Sequence, residues 1–205
     1  MSPDASPAPP AGALVAPSDV TLGVLAGGHA TRLGGLDKAW LTRGGVPQVL
    51  RRVDEARGFA GHVLVSANTA ADRYRSASLR FVADGSAGAG PVAGLAALAE
   101  ACRTRWLLTV PVDALHVPPA IFRGLFEAID GDGAWLVDAD GPQPLVAVWN
   151  AARLRAEAGF ALSAGRRAVH DLIAALAMVP AHVPQLSIGN LNTLADLDEA
   201  GMSPG

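Results

Sequence analysis

At 205 residues, half of them hydrophobic, the chain is long enough for one sizeable core and short for two. Aromatics make up only 5% while Ala, Val, Leu and Gly abound, so the core is expected to be built from small aliphatics, as in layered α/β folds. The formal net charge of −3 argues against a nucleic-acid surface, which needs clustered Lys and Arg, whereas a small anionic substrate needs only a local basic site.

Residues 1–18 are rich in Pro, lack Lys and Arg, and hold no sustained apolar run, unlike a signal peptide or membrane anchor. They are expected to form a disordered tail ahead of a single domain over 19–202. No apolar run is long enough to span a bilayer, so no membrane partner is expected and the cytoplasm is the expected compartment. The apolar run 20–26 (VTLGVLA) predicts a buried strand that stops at Gly27-Gly28. Val46, Val49, Leu50, Val53 and Ala56 share a helical face, and Gly58 and Gly61 punctuate its end. Residues 62–67 (HVLVSA) predict the second strand, and 79–82 a third that runs into Asp84. The Ala- and Leu-rich stretch 91–102 reads as a helix, with Cys102, the only cysteine, as a small core residue. A fourth strand is expected over 105–110 (RWLLTV) and a helix over 118–129. Strands over 134–137 and 144–149, separated by the turn-rich 138–143, form an antiparallel pair. The last third predicts a helix near 166–177, a strand near 178–183 and a closing helix over 193–200.

Alternating strands and helices call for a mostly parallel sheet with an antiparallel strand, covered on both faces: a three-layer α/β/α nucleotide-binding fold. Ligands in such sheets sit beyond the carboxyl ends of the strands, where Gly27-Gly28, Asn68, Asp84 and Asp113 fall. Among these, the segment 25–38 (LAGGHATRLGGLDK) sets four glycines and the cations Arg32 and Lys38 directly after a strand. Glycines let the backbone approach a phosphate with its N–H groups free, and the cations neutralise it. It is not a Walker loop, because Lys38 follows Asp37 and no Ser or Thr comes next, and it contains no G-x-G-x-x-G. On glycine content alone it reads equally as a surface loop with solvated charges.

The whole string resembles the signature L-A-G-G-x-x-x-R-[ML]-G-x-x-D-K of nucleotidyltransferases of the molybdenum cofactor guanylyltransferase family. The family's other landmarks follow in order: Asn68 after the second strand, Asp84 after the third, and G-P-x-A-G at 90–94. Then come P-x-D at Pro111-Val112-Asp113, Q-P-L at 143–145 and N-x-N-T at 190–193. The resemblance implies a guanylyltransferase that moves GMP from GTP to the terminal phosphate of molybdenum-molybdopterin, with Mg²⁺ as cofactor. It also implies GTP and molybdopterin as partners, with molybdoenzymes or their chaperones as further ones. It assigns Leu25, Ala26, Gly27, Gly28, Lys38, Asn68, Asp84 and Asp113 to the nucleotide, with Arg32, Lys38 and Asp113 catalytic and Asp113 the metal ligand. Arg166, Arg167, Asn190 and Asn192 are implied to face the pterin.

Each of these residues also has a plainer reading. Asp113 could be a turn or helix-capping residue, and the family's frequent P-C-D-x-P departs here to Ala114-Leu115. Asn68 and Asp84 could be turn residues, Asn192 or Thr193 an N-cap, and the arginine pair a solvated helix start. The histidines at 29, 62, 116, 170 and 182 have no zinc-ligand spacing. Alternatives within the class are cytidylyl transfer to the same pterin or nucleotidyl transfer to a sugar phosphate. In relatives L-A-A-G tends to accompany other nucleotides, so Gly27 favours GTP. A non-catalytic nucleotide or pterin carrier is the alternative outside the class.

Overall fold

The computed structural model describes residues 15–27, 36–83 and 90–205. Of the sequence expectations, those on residues 1–14, Gly28, Arg32 and Asp84 lie outside the described residues. The first strand, β1 (Val20–Leu25), is buried throughout. Its alternation sends Val20, Leu22 and Val24 into the core on one face of the sheet, while Leu25 joins the core on the other. Just before it, Pro17–Asp19 make a single 3₁₀ turn, and Pro17 O accepts from Gly61 N at 2.7 Å.

A two-residue hairpin, β2 (Thr42–Arg43) with β3 (Val46–Pro47), leads into helix α1 (Gln48–Glu55). Val46, expected on the helix, is instead an exposed hairpin residue, because the Gly44-Gly45 turn with positive φ at both positions closes a hairpin before Pro47 lets the helix begin. Next come β4 (His62–Ser66), the short helix α2 (Ala71–Ser76) and β5 (Phe81–Val82), shorter than expected. Helix α3 (Pro91–Ala101) follows, with Cys102 buried at its end, then β6 (Trp106–Pro111) and α4 (Pro119–Glu127). Strands β7 (Gly133–Asp138) and β8 (Gly141–Asn150) are antiparallel, as the turn between them predicts, and a register shift falls at Trp135/Leu136. The turn is shorter than 138–143, since both ends of that stretch are in the strands.

Two helices carry no counterpart in the sequence reading: α2, which buries only Tyr74, and α5 (Ala151–Ser163). The signal for α5 was Asn150, whose side chain accepts from Arg153 N at 3.3 Å as an N-cap, followed by Leu154, Ala158 and Ala161 on one buried face. The helix expected near 166–177 shortens to α6 (Val169–Ala175) because Arg166 N still closes the end of α5, on Ala161 O at 2.8 Å. The chain ends in β9 (Val179–His182) and α7 (Leu194–Glu199).

Among the described residues the main sheet has seven strands in the order β5-β4-β1-β6-β8-β7-β9, and β8 alone runs against its neighbours. Residues of α1, α2 and α4 pack in the core on one face and those of α3, α5 and α6 in the core on the other. This is the three-layer, mostly parallel arrangement that the sequence predicts. A smaller cluster of Leu41, Leu191, Leu197 and Met202 fastens α7 to the hairpin, where Thr42 and Ser203 exchange backbone hydrogen bonds of 2.8 and 2.9 Å. Among the described residues no helix is long and apolar enough to cross a membrane.

Candidate active site

From β1 the chain builds outward through β4 and β5, then returns to add β6 on the other side of β1. That reversal leaves a crevice above the carboxyl ends of β1 and β6, the place where open α/β sheets bind ligands. The end of β1 is tied on both sides: Val112 N, just past β6, donates to Leu25 O at 2.9 Å, and Ala26 N donates to Ser66 O of β4 at 2.8 Å. Gly27 emerges exposed beside them. Gly94, from the G-P-x-A-G turn, brings α3 against this edge, since a Cβ there would stand 2.9 Å from Leu25 Cδ2 and 3.0 Å from Ser66 Oγ.

Lys38 returns to the crevice on a 3₁₀ turn (Lys38–Trp40) that is held by its flanks. Asp37 Oδ1 caps it by accepting from Ala39 N at 3.0 Å, and Ala39 and Trp40 are buried. The Lys38 ammonium donates to Asp113 Oδ2 at 3.0 Å and to Leu191 O at 2.5 Å. Leu191 N in turn donates to Asp113 O at 2.8 Å. Three segments far apart in sequence, ending the glycine-rich stretch, following β6 and preceding α7, thus close one ring of contacts. Lys38 and Asp113 keep 20% and 31% of their side chains exposed, so both can turn to a ligand.

Asn190 and Asn192 flank Leu191 and are exposed, and Asn190 forms an antiparallel bridge with Ala114. The Asn192 amide donates to Asp196 Oδ2 at 2.7 Å, and Thr193, not Asn192, is the N-cap of α7 through a capping box with Asp196. Asn68 is exposed just past β4, at the same edge. Arg166 and Arg167 are exposed between α5 and α6, and the Arg166 guanidinium lies over the Phe160 ring at 5.0 Å. Arg166 is thus held against the end of α5, through Phe160 and Ala161 O, and no contact joins it to Lys38 or Asp113 among the described residues.

Several supporting residues were missed by the sequence reading. Buried Gln48 and Arg52 donate to Ala114 O at 2.7 and 2.6 Å. Buried Asp138 accepts from Ile188 N at 3.0 Å, Asp140 N at 2.9 Å and Gln143 Nε2 at 3.3 Å, which anchors the segment leading to Asn190 and gives the Q-P-L glutamine a task. Gln48 and Arg52 lie off the apolar face expected for α1 and Asp138 falls in the stretch expected to be a turn, so the sequence offered no signal for them.

Among the described residues no three His, Cys, Asp or Glu side chains gather as a metal cage. The partly exposed Asp113 carboxylate fits a hard cation that arrives with a triphosphate, because Mg²⁺ is commonly held by one or two carboxylates plus substrate phosphates.

Residues 22–179 match the model of the MobA-like NTP transferase domain. The chain belongs to this nucleotidyltransferase family. The molybdenum cofactor guanylyltransferase of Cupriavidus metallidurans is 31% identical over 196 residues, covering 90% of this chain and 95% of that one. Molybdopterin-guanine dinucleotide biosynthesis protein A from Archaeoglobus fulgidus superposes with a TM-score of 0.70 at 22% identity, covering 88% of this chain and 96% of that one. The 2-C-methyl-D-erythritol 4-phosphate cytidylyltransferase of Thermus thermophilus gives 0.67 at 21% identity, covering 87% and 95% respectively. These two structures share the MobA-like fold; the full-length likeness to the guanylyltransferase carries the family assignment further, to molybdenum cofactor synthesis.

Proposed function

We infer that the chain transfers GMP from GTP to the terminal phosphate of molybdenum-molybdopterin, releasing pyrophosphate, at a site organised around Lys38 and Asp113. The observation that carries this reading is the ring joining Lys38, Asp113 and Leu191, because it unites a cation from the glycine-rich segment, a carboxylate and the N-x-N-T element at the topological switch point. The relatives named as molybdenum cofactor guanylyltransferases support guanine and the pterin as its substrates.

The attacking phosphate is already anionic, so the reaction needs no general base, and positioning with charge stabilisation does the work. In this reading the nucleotide lies against Leu25, Ala26, Gly27 and Gly28 with Arg32 at its phosphates, while Asn68 and Asp84 take the nucleoside; the Ala26 amide itself is engaged by Ser66 O. Lys38 has a long, flexible stem, so its ammonium can exchange the Asp113 carboxylate for the departing pyrophosphate. A divalent cation, Mg²⁺ here, neutralises the triphosphate when bound, and Asp113 is the residue that would hold it. Asn190, Asn192, Arg166 and Arg167 take the acceptor, the arginines through bidentate bonds to its phosphate. The domain spans 19–202 and works in the cytoplasm, with molybdoenzymes or their chaperones receiving the product.

Titration of the purified chain with GTP and CTP in Mg²⁺ tests the nucleotide, with tighter GTP binding expected. Preference for CTP would move the reading to cytidylyl transfer, the chemistry named for one protein of the same fold. Pyrophosphate release from GTP with metal-loaded molybdopterin separates an enzyme from a carrier, which would release none.

A further inference from the structure

The segment that carries Asp113 is gripped from below by α1. Arg52 is fully buried, and its guanidinium donates to Ala114 O at 2.6 Å, to Leu115 O at 3.3 Å and to Glu55 Oε1 at 2.7 Å. Gln48, one helical turn earlier, donates to the same Ala114 O at 2.7 Å. Glu55 also accepts from Val117 N at 3.3 Å and pairs with His116 Nδ1 at 3.0 Å. Burial pushes the Arg52 guanidinium down to about 10 against the pull of Glu55, so the molecule keeps a charge where an apolar side chain would be cheaper to bury.

The geometry shows what that charge does. Residues 112–118 belong to no helix or strand beyond one bridge, so their carbonyls lack regular partners. A guanidinium holds two of them at once in a fixed plane, which no apolar or single-point donor can do. Ala114, the node of the grip, follows Asp113 directly and bridges to Asn190. One contact therefore sets both the carboxylate at the nucleotide side and the asparagine at the acceptor side. We propose that Arg52, oriented by Glu55, is a positioning residue for nucleotidyl transfer that fixes Asp113 and Asn190 relative to each other. This rests on the guanylyl-transfer reading.

The test uses the full chain with Arg52→Met, Arg52→Lys and Glu55→Gln, beside Leu125→Ala, a core truncation in α4 on the same face of the sheet. Arg52→Met is expected to lower kcat about ten- to hundred-fold with KM for GTP nearly unchanged, since misplacement of reacting groups by an ångström costs on this scale. Arg52→Lys, which keeps the charge, recovers part of that loss, and Glu55→Gln shows a smaller one. Leu125→Ala lowers Tm but keeps kcat at temperatures below its own unfolding. An Arg52→Lys and Glu55→Gln pair with wild-type kcat, or an Arg52→Met loss no larger than that of Leu125→Ala, overturns the proposal. Inactive wild-type protein would count against guanylyl transfer alone. Hydrogen exchange then reads the grip directly: in Arg52→Lys, peptides spanning 111–117 and 188–192 exchange faster while those of α3 do not change, and unchanged exchange in both segments overturns it.

Discussion

Lys38 and Asp113 illustrate how a contact constrains chemistry. Each neutralises the other at 3.0 Å, and each remains partly exposed. Asp113→Asn keeps the shape and the hydrogen-bonding capacity toward Lys38 but removes the charge that a cation needs. It is expected to cut metal-dependent transfer by about 10² to 10³, the effect of losing one preorganised electrostatic element, with Tm unchanged within about 2 °C. Transfer at the wild-type rate in the purified variant would contradict the role given to Asp113. Lys38→Ala is expected to lower kcat and kcat/KM together; a rise in KM alone would make Lys38 a binder of ground state and transition state alike.

At the scale of elements, the loops of the crevice are held by caps and close packing that can be loosened separately. Gly94→Ala puts a methyl group against Leu25 and Ser66. Overpacking of this kind costs about 1 to 3 kcal/mol, or a Tm lower by roughly 2 to 4 °C for each kcal/mol, and calorimetry reads it. At α7, the amides of Asn192 and Thr193 hold the Asp196 carboxyl below its ordinary range, with smaller help from the Thr193 hydroxyl and Lys38. A carboxyl lowered in the folded chain stabilises fully above its unfolded value, and that contribution disappears as pH falls through the folded one. Protection of amides in 190–200 should therefore drop on acidification below the usual carboxylate range in the wild type and stay flat in Asp196→Asn; parallel slopes would contradict the capping box as its source. The central strands of the main sheet were the most legible elements, because VTLGVLA and RWLLTV are short, mostly apolar runs of the kind a strand buried on both faces shows. Helices α2 and α5 were not, since α2 buries one residue and α5 buries mostly alanine, which gives little contrast between faces.

For the whole molecule, what matters is that the sheet reverses its direction of growth between β1 and β6. That reversal brings the end of the glycine-rich segment, the P-x-D element and the N-x-N-T element together, although Lys38 and Leu191 are separated by most of the chain. The residue types of the site were legible from motif order. Their mutual geometry was not, because Leu191 acts through its backbone and Arg52, Gln48 and Asp138 act on backbone groups, and a backbone contact leaves no residue signature. The arginines at 166 and 167 were read from a motif whose neighbours in space the sequence does not encode.

The most direct measurement is mass spectrometry of the product after the purified chain is incubated with GTP, Mg²⁺ and molybdenum-molybdopterin. The expected product is a species heavier than the pterin by one guanylyl group, formed with pyrophosphate by the wild type and nearly absent with Asp113→Asn. An unmodified pterin with intact GTP, or an adduct formed equally well by Asp113→Asn, would contradict it.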